Sequence, residues 1–281
     1  MNKMRVLVTG ANGYVGSHVV RELLAQGCQV VACDIRIDQI PDAAERLCVD
    51  IFQESEKVYS LAGSPNCLIH LAWRNGFRHN ADTHIGDLPA HIRFLSAMMD
   101  AGLKNISVMG SMHEVGYWEG AITEDSPTNP LSFYGIAKNA LRQALELMTK
   151  EKGVCFHWLR GYYIYGDDIR SNSVLSKILL AAQNGQETFP FTSGKNLYDF
   201  VSVQELAKQI VSASLQTKIT GIINCCSGEP VSLGAMAERF IKMHGLSIKL
   251  QYGAFPDRAY DSPGVWGDAS KIKQILRNSE D

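Results

Sequence analysis

No stretch of this 281-residue chain stays apolar for the roughly 20 residues that a membrane-spanning helix needs. Its charges nearly cancel, at a formal net −2. That leaves neither the basic field that attracts nucleic acid nor a polybasic patch for an acidic lipid surface. No nucleic acid and no membrane partner are therefore expected. No charged leader followed by a short apolar segment precedes the first strand-like run, so the sequence shows no secretory signal. The seven cysteines (Cys28, Cys33, Cys48, Cys67, Cys155, Cys225, Cys226) contain no C-x-x-C pair and no regular spacing. That scatter reads as reduced thiols in a cytoplasmic protein rather than a disulfide framework. The eight histidines, His79, His84 and His91 among them, have no zinc spacing, and no metal is expected. Asp167 and Asp168 read as solvated loop carboxylates. Repeats and low-complexity tracts are missing too.

What is present is ample apolar content, 46% of residues, enough for one large α/β domain or a nucleotide domain with a small appendage. A β-branched run, Val6 to Val8, stops at Thr9-Gly10-Ala11-Asn12-Gly13-Tyr14-Val15-Gly16. A helical pattern follows, with Val15, Val19, Val20, Leu23 and Leu24 on one face. Strand, glycine turn, helix is the context in which such a fingerprint signifies dinucleotide binding. Gly10 permits the turn, Gly13 lets the backbone approach a pyrophosphate, and Gly16 lets helix and strand pack closely. The helix N-terminus offers free N–H groups to the phosphates.

The second strand, Gln29 to Asp34, ends in a carboxylate placed to accept the adenosine ribose hydroxyls. Asp34 would repel a 2′-phosphate and favours NAD; Arg36, two residues on, leaves NADP open. A third short strand is expected at Val49-Asp50-Ile51, with Asp50 within reach of the adenine amino group. Asn66 to Trp73 reads as a buried strand ending in small residues, with His70 a packed strand-end side chain. Trp73 to Asp82 reads as a polar loop. Leu88 to Ala101 reads as a helix, and Asn105 to Gly110 as the next strand. Strands alternating with helices predict a doubly wound parallel α/β sheet with ligands at the C-terminal strand ends.

Ser111 stands where that strand ends. Tyr134-Gly135-Ile136-Ala137-Lys138 then opens a helix, which puts the tyrosine and lysine on one face. An ammonium beside the phenol, with a nicotinamide cation nearby, is expected to lower the tyrosine pKa from its reference near 10, making it an acid–base group near neutral pH. Ser111 would hold the substrate oxygen opposite. Downstream, an amphipathic helix is expected from Ser171 to Thr192 and further helices at Val203–Leu215, Leu233–His244 and Lys271–Leu276. Strands are expected at Gly221–Cys225 and Ile248–Tyr252. Residues 1–166, with a return at 197–225, are expected to form the dinucleotide domain. Residues 167–196 and 226–281 should form mostly a small substrate-binding lobe.

Taken together, these motifs resemble the extended short-chain dehydrogenase/reductases, the NAD-dependent epimerase/dehydratase family of nucleotide-sugar enzymes, and the resemblance runs over nearly the whole chain. The glycine turn, His70-Leu71-Ala72, the serine strand through Ser111 and Gly116, Leu159-Arg160 with Tyr165-Gly166, Asp199-Phe200-Val201 and Ser227-Gly228-Glu229-Pro230 carry it. The resemblance implies a Rossmann domain with a small C-terminal lobe. It makes Tyr134 the acid–base, Lys138 its partner and a nicotinamide-ribose ligand, and Ser111 the substrate-oxygen ligand. By family position the cofactor would also meet Gly10, Asn12, Gly13, Tyr14, Val15, Gly16, Asp34, Ile35, Arg36, Asp50, Ile51, Leu71, Ala72, Trp73, Met109, Gly161, Tyr162 and Ile164. The substrate would meet Ser111, Met112, His113, Tyr163 and Arg258. A homodimer is implied.

The departures narrow the reaction. Where the related 4,6-dehydratases carry a strand-end Thr followed by Asp and Glu, this chain has Ser111-Met112-His113-Glu114, which disfavours dehydration. What is retained suits reduction of a bound 4-keto sugar, and the resemblance is to reductases of NDP-4-keto-6-deoxyhexoses, the dTDP-6-deoxy-talose 4-dehydrogenase type. Two other functions stay open: a 4-epimerase, and a non-catalytic NAD(P)-binding regulator.

Overall fold

The computed structural model describes residues 3–166, 173–257 and 261–280. In chain order the strands are β1 (Arg5–Thr9), β2 (Gln29–Asp34), β3 (Glu45–Cys48), β4 (Cys67–His70), β5 (Asn105–Ser111), β6 (Gly120–Ile122), β7 (Cys155–Gly161), β8 (Tyr163–Tyr165), β9 (Thr188–Pro190), β10 (Leu197–Ser202), β11 (Gly221–Cys225), β12 (Pro230–Ser232), β13 (Lys249–Gln251) and β14 (Gly264–Gly267). The helices are α1 (Tyr14–Ala25), α2 (Val58–Leu61), α3 (Thr83–Asp100), α4 (Phe133–Lys152), α5 (Val174–Gln183), α6 (Val203–Ser214), α7 (Leu233–Met243) and α8 (Ser270–Glu280).

The β-branched run at the start becomes a central strand because both of its faces are covered: Val6, Leu7 and Val8 are wholly buried. Around it stands a seven-stranded sheet in the order β11-β7-β5-β4-β1-β2-β3, every pairing parallel. Order reverses between β1 and β4, which opens a crevice at their C-terminal ends. One face is covered by α1, α6 and α8 through Val19, Leu23, Ile210 and Ile272, the other by α3 and α4 through Phe94, Met98, Leu141 and Leu145.

A smaller sheet runs β12-β10-β14-β6, with β8 also on β10, and a two-stranded sheet joins β13 to β9. A third apolar cluster lies under α5 and α7, around Phe191, Phe240 and Ile248. The stretch expected to be mostly lobe, 226–281, is divided. α7 faces α5, whereas α8 packs on α6 and β11 at the large sheet.

Several local expectations are corrected. The third strand is Glu45–Cys48, pairing Val31 with Glu45 and Asp34 with Cys48. Val49-Asp50-Ile51 forms the turn beyond it, where Asp50 accepts from the Phe52 amide at 2.9 Å while Ile51 drops into the core. α3 starts at Thr83 rather than Leu88, continuing through Pro89, whose ring and missing N–H argue against a helix on that side. The helix expected from Ser171 to Thr192 is Val174–Gln183 among the described residues, ended at Asn184-Gly185 and followed by β9. α8 runs beyond Leu276 to Glu280.

Candidate active site

At the end of β1, Gly10 has φ +71°, and a Cβ there would lie 2.6 Å from the Ala72 nitrogen. The end of β4 therefore presses directly on the turn, helped by the Leu71 amide donating to the Thr9 carbonyl at 3.0 Å. A Cβ on Gly16 would meet the Gly10 oxygen at 2.0 Å, so helix and strand touch there as the spacing predicts. Gly13 caps α1 and is exposed, and it brings no side chain to cap the first-turn amides. Four other helices have serine caps (Ser132, Ser173, Ser202 and Ser232). This bare, glycine-lined helix start, with Tyr14 and Val15 in its first turn, fits a dinucleotide pyrophosphate. Asp34, at the end of β2, accepts from the Asn12 amide at 3.1 Å and, weakly, from the Arg36 amide at 3.4 Å. Its carboxylate thus stands beside the turn, with Ile35 and Arg36 exposed next to it. Asp50 and Ile51 lie on the turn described above, Asp50 exposed.

On the other side of the crevice, β5 delivers Ser111. The frame of that strand end is settled by packing. Met112, expected near substrate, is buried in the core cluster with Val115, Ile122 and Tyr162. Ser111 is the hydroxyl that faces Tyr134, and its hydrogen bond acts to lower the phenol pKa. Glu114 is wholly buried and folds back to accept from the Ser111 amide at 2.5 Å and from the Trp158 indole at 2.8 Å. The Arg160 and Arg142 guanidiniums stand 3.6 and 3.9 Å from the same carboxylate. Burial raises its pKa against those partners. Glu114 is thus a clamp under Ser111 with no face toward the crevice.

α4 begins at Ser132, whose hydroxyl accepts from the Gly135 amide, and carries Tyr134 and Lys138 on one side. The expected lowering of the tyrosine pKa is not what this chain alone produces. Burial pushes the half-buried Tyr134 phenol up to about 12, with Ser111 pulling it down and Glu114 pushing it up. Lys138 does not offset this, for two reasons. Its ammonium donates to the Met109 carbonyl at 2.7 Å and lies 3.7 Å over the Trp73 ring, against 5.9 Å from the Tyr134 ring. Burial also brings the lysine down to about 7.

The loop from Trp73 to Asp82, legible as a loop, brings side chains that sequence reasoning left unassigned. The Tyr134 amide donates to the His79 carbonyl at 2.8 Å, and the His79 ring stacks on Tyr134 at 5.4 Å and 13°. His113 packs against His79 at 4.4 Å, and His84 lies edge-on to Tyr134 at 5.2 Å. His84 and His91 are seven residues apart on α3, a spacing that places both on one helix face. Read as such, it would have flagged them. His70 is, as expected, a packed strand-end histidine, bonded to Thr9 and to His91.

Gly161 ends β7 beside Ser111 and against the Met109 side chain. Tyr162, expected to face the nicotinamide, instead sends its side chain into the core, where its hydroxyl donates to Asn224 at 3.1 Å. Only its backbone can border the crevice. The Tyr163 ring packs on Tyr198 at 4.3 Å, tilted by 32°, and Ile164 packs on the core, both in β8 against β10. Asp199, fully buried in β10, accepts from the Ser227 amide and hydroxyl and from the Gly228 and Gly267 amides, at 2.7–3.1 Å. Arg258, Asp167 and Asp168 lie outside the described residues. Among the described residues no group of three or more His, Cys, Asp or Glu side chains is arranged to hold a metal, and no helix is long and apolar enough to cross a membrane.

A glycine cradle at a topological switch point, facing a serine, a tyrosine and a lysine from the neighbouring strand and helix, defines a dinucleotide-dependent enzyme of the short-chain dehydrogenase/reductase kind. Residues 6–226 match the NAD dependent epimerase/dehydratase family, and the chain belongs to it. Among its relatives is the dTDP-6-deoxy-L-talose 4-dehydrogenase (NAD(+)) of Aggregatibacter actinomycetemcomitans, 46% identical over 271 residues, covering 94% of this chain and 99% of that protein. The fold is shared with the UDP-N-acetylglucosamine 4-epimerase of Methanobrevibacter ruminantium M1, solved with UDP-N-acetylmuramic acid (TM-score 0.85, 21% identity, 98% of this chain and 92% of that one). It is shared too with the UDP-glucuronic acid 4-epimerase of Bacillus cereus, solved with UDP-glucuronic acid and NAD (TM-score 0.82, 22% identity, 98% and 93%).

Proposed function

We propose that this protein is an NAD-dependent nucleotide-sugar oxidoreductase that reversibly reduces the 4-keto group of an NDP-4-keto-6-deoxyhexose, the reaction type of its 46%-identical relative. The observation that carries the proposal is the convergence of Ser111, Tyr134 and Lys138 beside the Gly10–Gly16 turn. NAD, held across that turn and at Asp34, supplies the hydride-exchanging nicotinamide.

The remaining work falls to the chain. The Ser111 hydroxyl fixes the C4 oxygen, and Tyr134 gives a proton to that oxygen or takes one from it. A phenol kept protonated at neutral pH, as burial keeps Tyr134, suits the donor role in the reducing direction. Glu114, locked under Ser111, has no route to a sugar proton, which argues against a dehydratase.

The chain is further inferred to be cytoplasmic and to form a homodimer through α3 and α4. Ile136 and Leu147, eleven residues apart and so on one face of α4, are 42% and 73% exposed, as is Ile85 of α3 at 43%. Light scattering should give twice the 31.0 kDa chain mass; a monomer would refute the pairing.

The direct test of function is a cofactor-oxidation screen against dTDP-, UDP-, GDP- and CDP-linked 4-keto sugars. One-for-one consumption of NADH with a dTDP-4-keto-6-deoxyhexose is expected. Sugar interconversion with no net change in cofactor would instead establish a 4-epimerase, and no turnover with any sugar would leave a cofactor-binding regulator.

A further inference from the structure

Beneath the crevice lies a connected set of side chains that the reaction does not use directly. The Thr9 hydroxyl meets His70 Nδ1 at 2.7 Å, and His70 Nε2 meets His91 Nδ1 at 2.8 Å. The His91 ring stacks on Trp73 at 4.4 Å and 19°. The Trp73 indole N–H donates to His84 Nδ1 at 3.0 Å, which puts the His84 proton on Nε2, where it meets the Arg78 carbonyl at 3.0 Å. All three histidines are 1–2% exposed. An indole held by one stacked imidazole and one hydrogen-bonded imidazole has little freedom to turn. Its free face receives the Lys138 ammonium at 3.7 Å.

We propose that Trp73 is a positioning residue for Lys138: the indole, clamped between His84 and His91, offers its π face as the seat that holds the lysine ammonium at the crevice. The proposal rests on the assignment of Lys138 to the active site. Its physical basis is that a cation taken out of water still needs partners, and here the nearest are the Met109 carbonyl at 2.7 Å and the indole face at 3.7 Å, with the Tyr134 ring farther off at 5.9 Å. Tryptophan is the aromatic with the strongest attraction for a cation, and the attraction grows as water is excluded. The other ionisable groups facing Lys138 are Tyr134, on its own helix, Glu114, below Ser111, and His70 and His91, below Trp73. Burial holds both histidines neutral, so they add no positive charge against the ammonium.

The test reads the lysine itself, without cofactor or sugar. Lys138 is followed by its labelled ε-carbon in NMR, with the resonance assigned by its loss in Lys138→Met. In Trp73→Leu the protonation midpoint should move about one pH unit lower, as expected for losing a desolvated cation–π contact, and Trp73→Phe should recover part of the shift. In case Trp73→Leu fails to fold, mono-, di- and trifluorotryptophan placed at position 73 preserve shape while draining the ring face. The midpoint should then fall stepwise with each fluorine. A midpoint that stays fixed across the fluorinated series, or in folded Trp73→Leu, would overturn the proposal.

With substrate, Trp73→Leu should lower kcat about tenfold and leave the nucleotide-sugar KM near its original value, with Trp73→Phe restoring most of the loss. An equal rise in KM with kcat unchanged would instead make Trp73 a binding residue. Because the titration needs no turnover, it fails or succeeds separately from the proposed reaction.

Discussion

Lys138 donates its ammonium to the carbonyl of Met109 at 2.7 Å, so that the helix bearing the tyrosine is fastened to the strand that ends in the serine. That tie adds to the direct hydrogen bond between Ser111 and Tyr134 in setting the two hydroxyls relative to one another. The distance between acid–base and oxygen ligand is a property of α4 and β5 together.

The most direct consequence concerns the phenol. Tyr134→Phe keeps the ring that His79 and His84 pack against but removes the hydroxyl proposed to exchange a proton with the sugar oxygen. Turnover should fall by about 10²–10⁴, the usual worth of a positioned general acid, while NAD titration is unchanged. Full activity in this variant would refute the assigned chemistry.

Cofactor choice should depend on Asp34. Removing the carboxylate in Asp34→Ala takes away the proposed ribose acceptor and, with it, the charge that would oppose a 2′-phosphate, with Arg36 exposed alongside. The NADP-to-NAD preference should rise about tenfold, equivalent to ~1.4 kcal/mol. Identical affinities in parallel titrations before and after the change would rule out a ribose role.

Acid should weaken the fold through the buried imidazoles. His91 is lowered by burial to about 3, His113 to about 4, and His70 well below its ordinary value of 6.5. A group held neutral in the fold lets the unfolded chain take up protons first. Stability from these sites is therefore complete above pH 6.5 and lost as pH falls from 6.5 toward 4 and below. For His91 alone the loss at pH 5 is on the order of 2 kcal/mol. Urea midpoints measured at pH 7.5 and 5 should show it, and the slope should flatten in His91→Phe.

Much of the fold and of the site was legible because its signals are local. Gly13 and Gly16 are constrained by contacts within one turn, Gly10 by its positive φ in that turn as well as by the end of β4, and Tyr134 and Lys138 share a face because of helical spacing alone. The histidine set around Trp73 was only partly legible in this way: spacing puts His84 and His91 on one face of α3, but His70 comes from β4, and only tertiary packing brings all three to the indole. The upward push that burial gives the Tyr134 phenol in the chain alone was not legible, for a related reason. Spacing places the lysine one turn away, but the direction its amine takes depends on Met109 and Trp73, far off in sequence. Val49-Asp50-Ile51 looked like a strand because its apolar residues do enter the core, from a turn.

A further prediction concerns Asp199. With four donors on one buried carboxylate, Asp199→Ala takes the acceptor from the Ser227, Gly228 and Gly267 amides and leaves the Ser227 hydroxyl only the Glu229 carbonyl. It should cost about 3 kcal/mol or more, read as a lowered urea midpoint, with Asp199→Asn in between. A midpoint within error of the parent would mean that the carboxylate is not a structural tie.

That carboxylate also sets where the polypeptide can be cut. The family match ends at residue 226, yet the amides that satisfy Asp199 belong to Ser227, Gly228 and Gly267. A fragment stopped at the family boundary would lose the donors on Asp199 together with β12 and β14, the strands that flank β10, and it would be expected to emerge from expression as insoluble or rapidly degraded material. Supplying residues 227–281 as a separate peptide should rescue it, which makes this junction a place to build a split, reconstitutable enzyme.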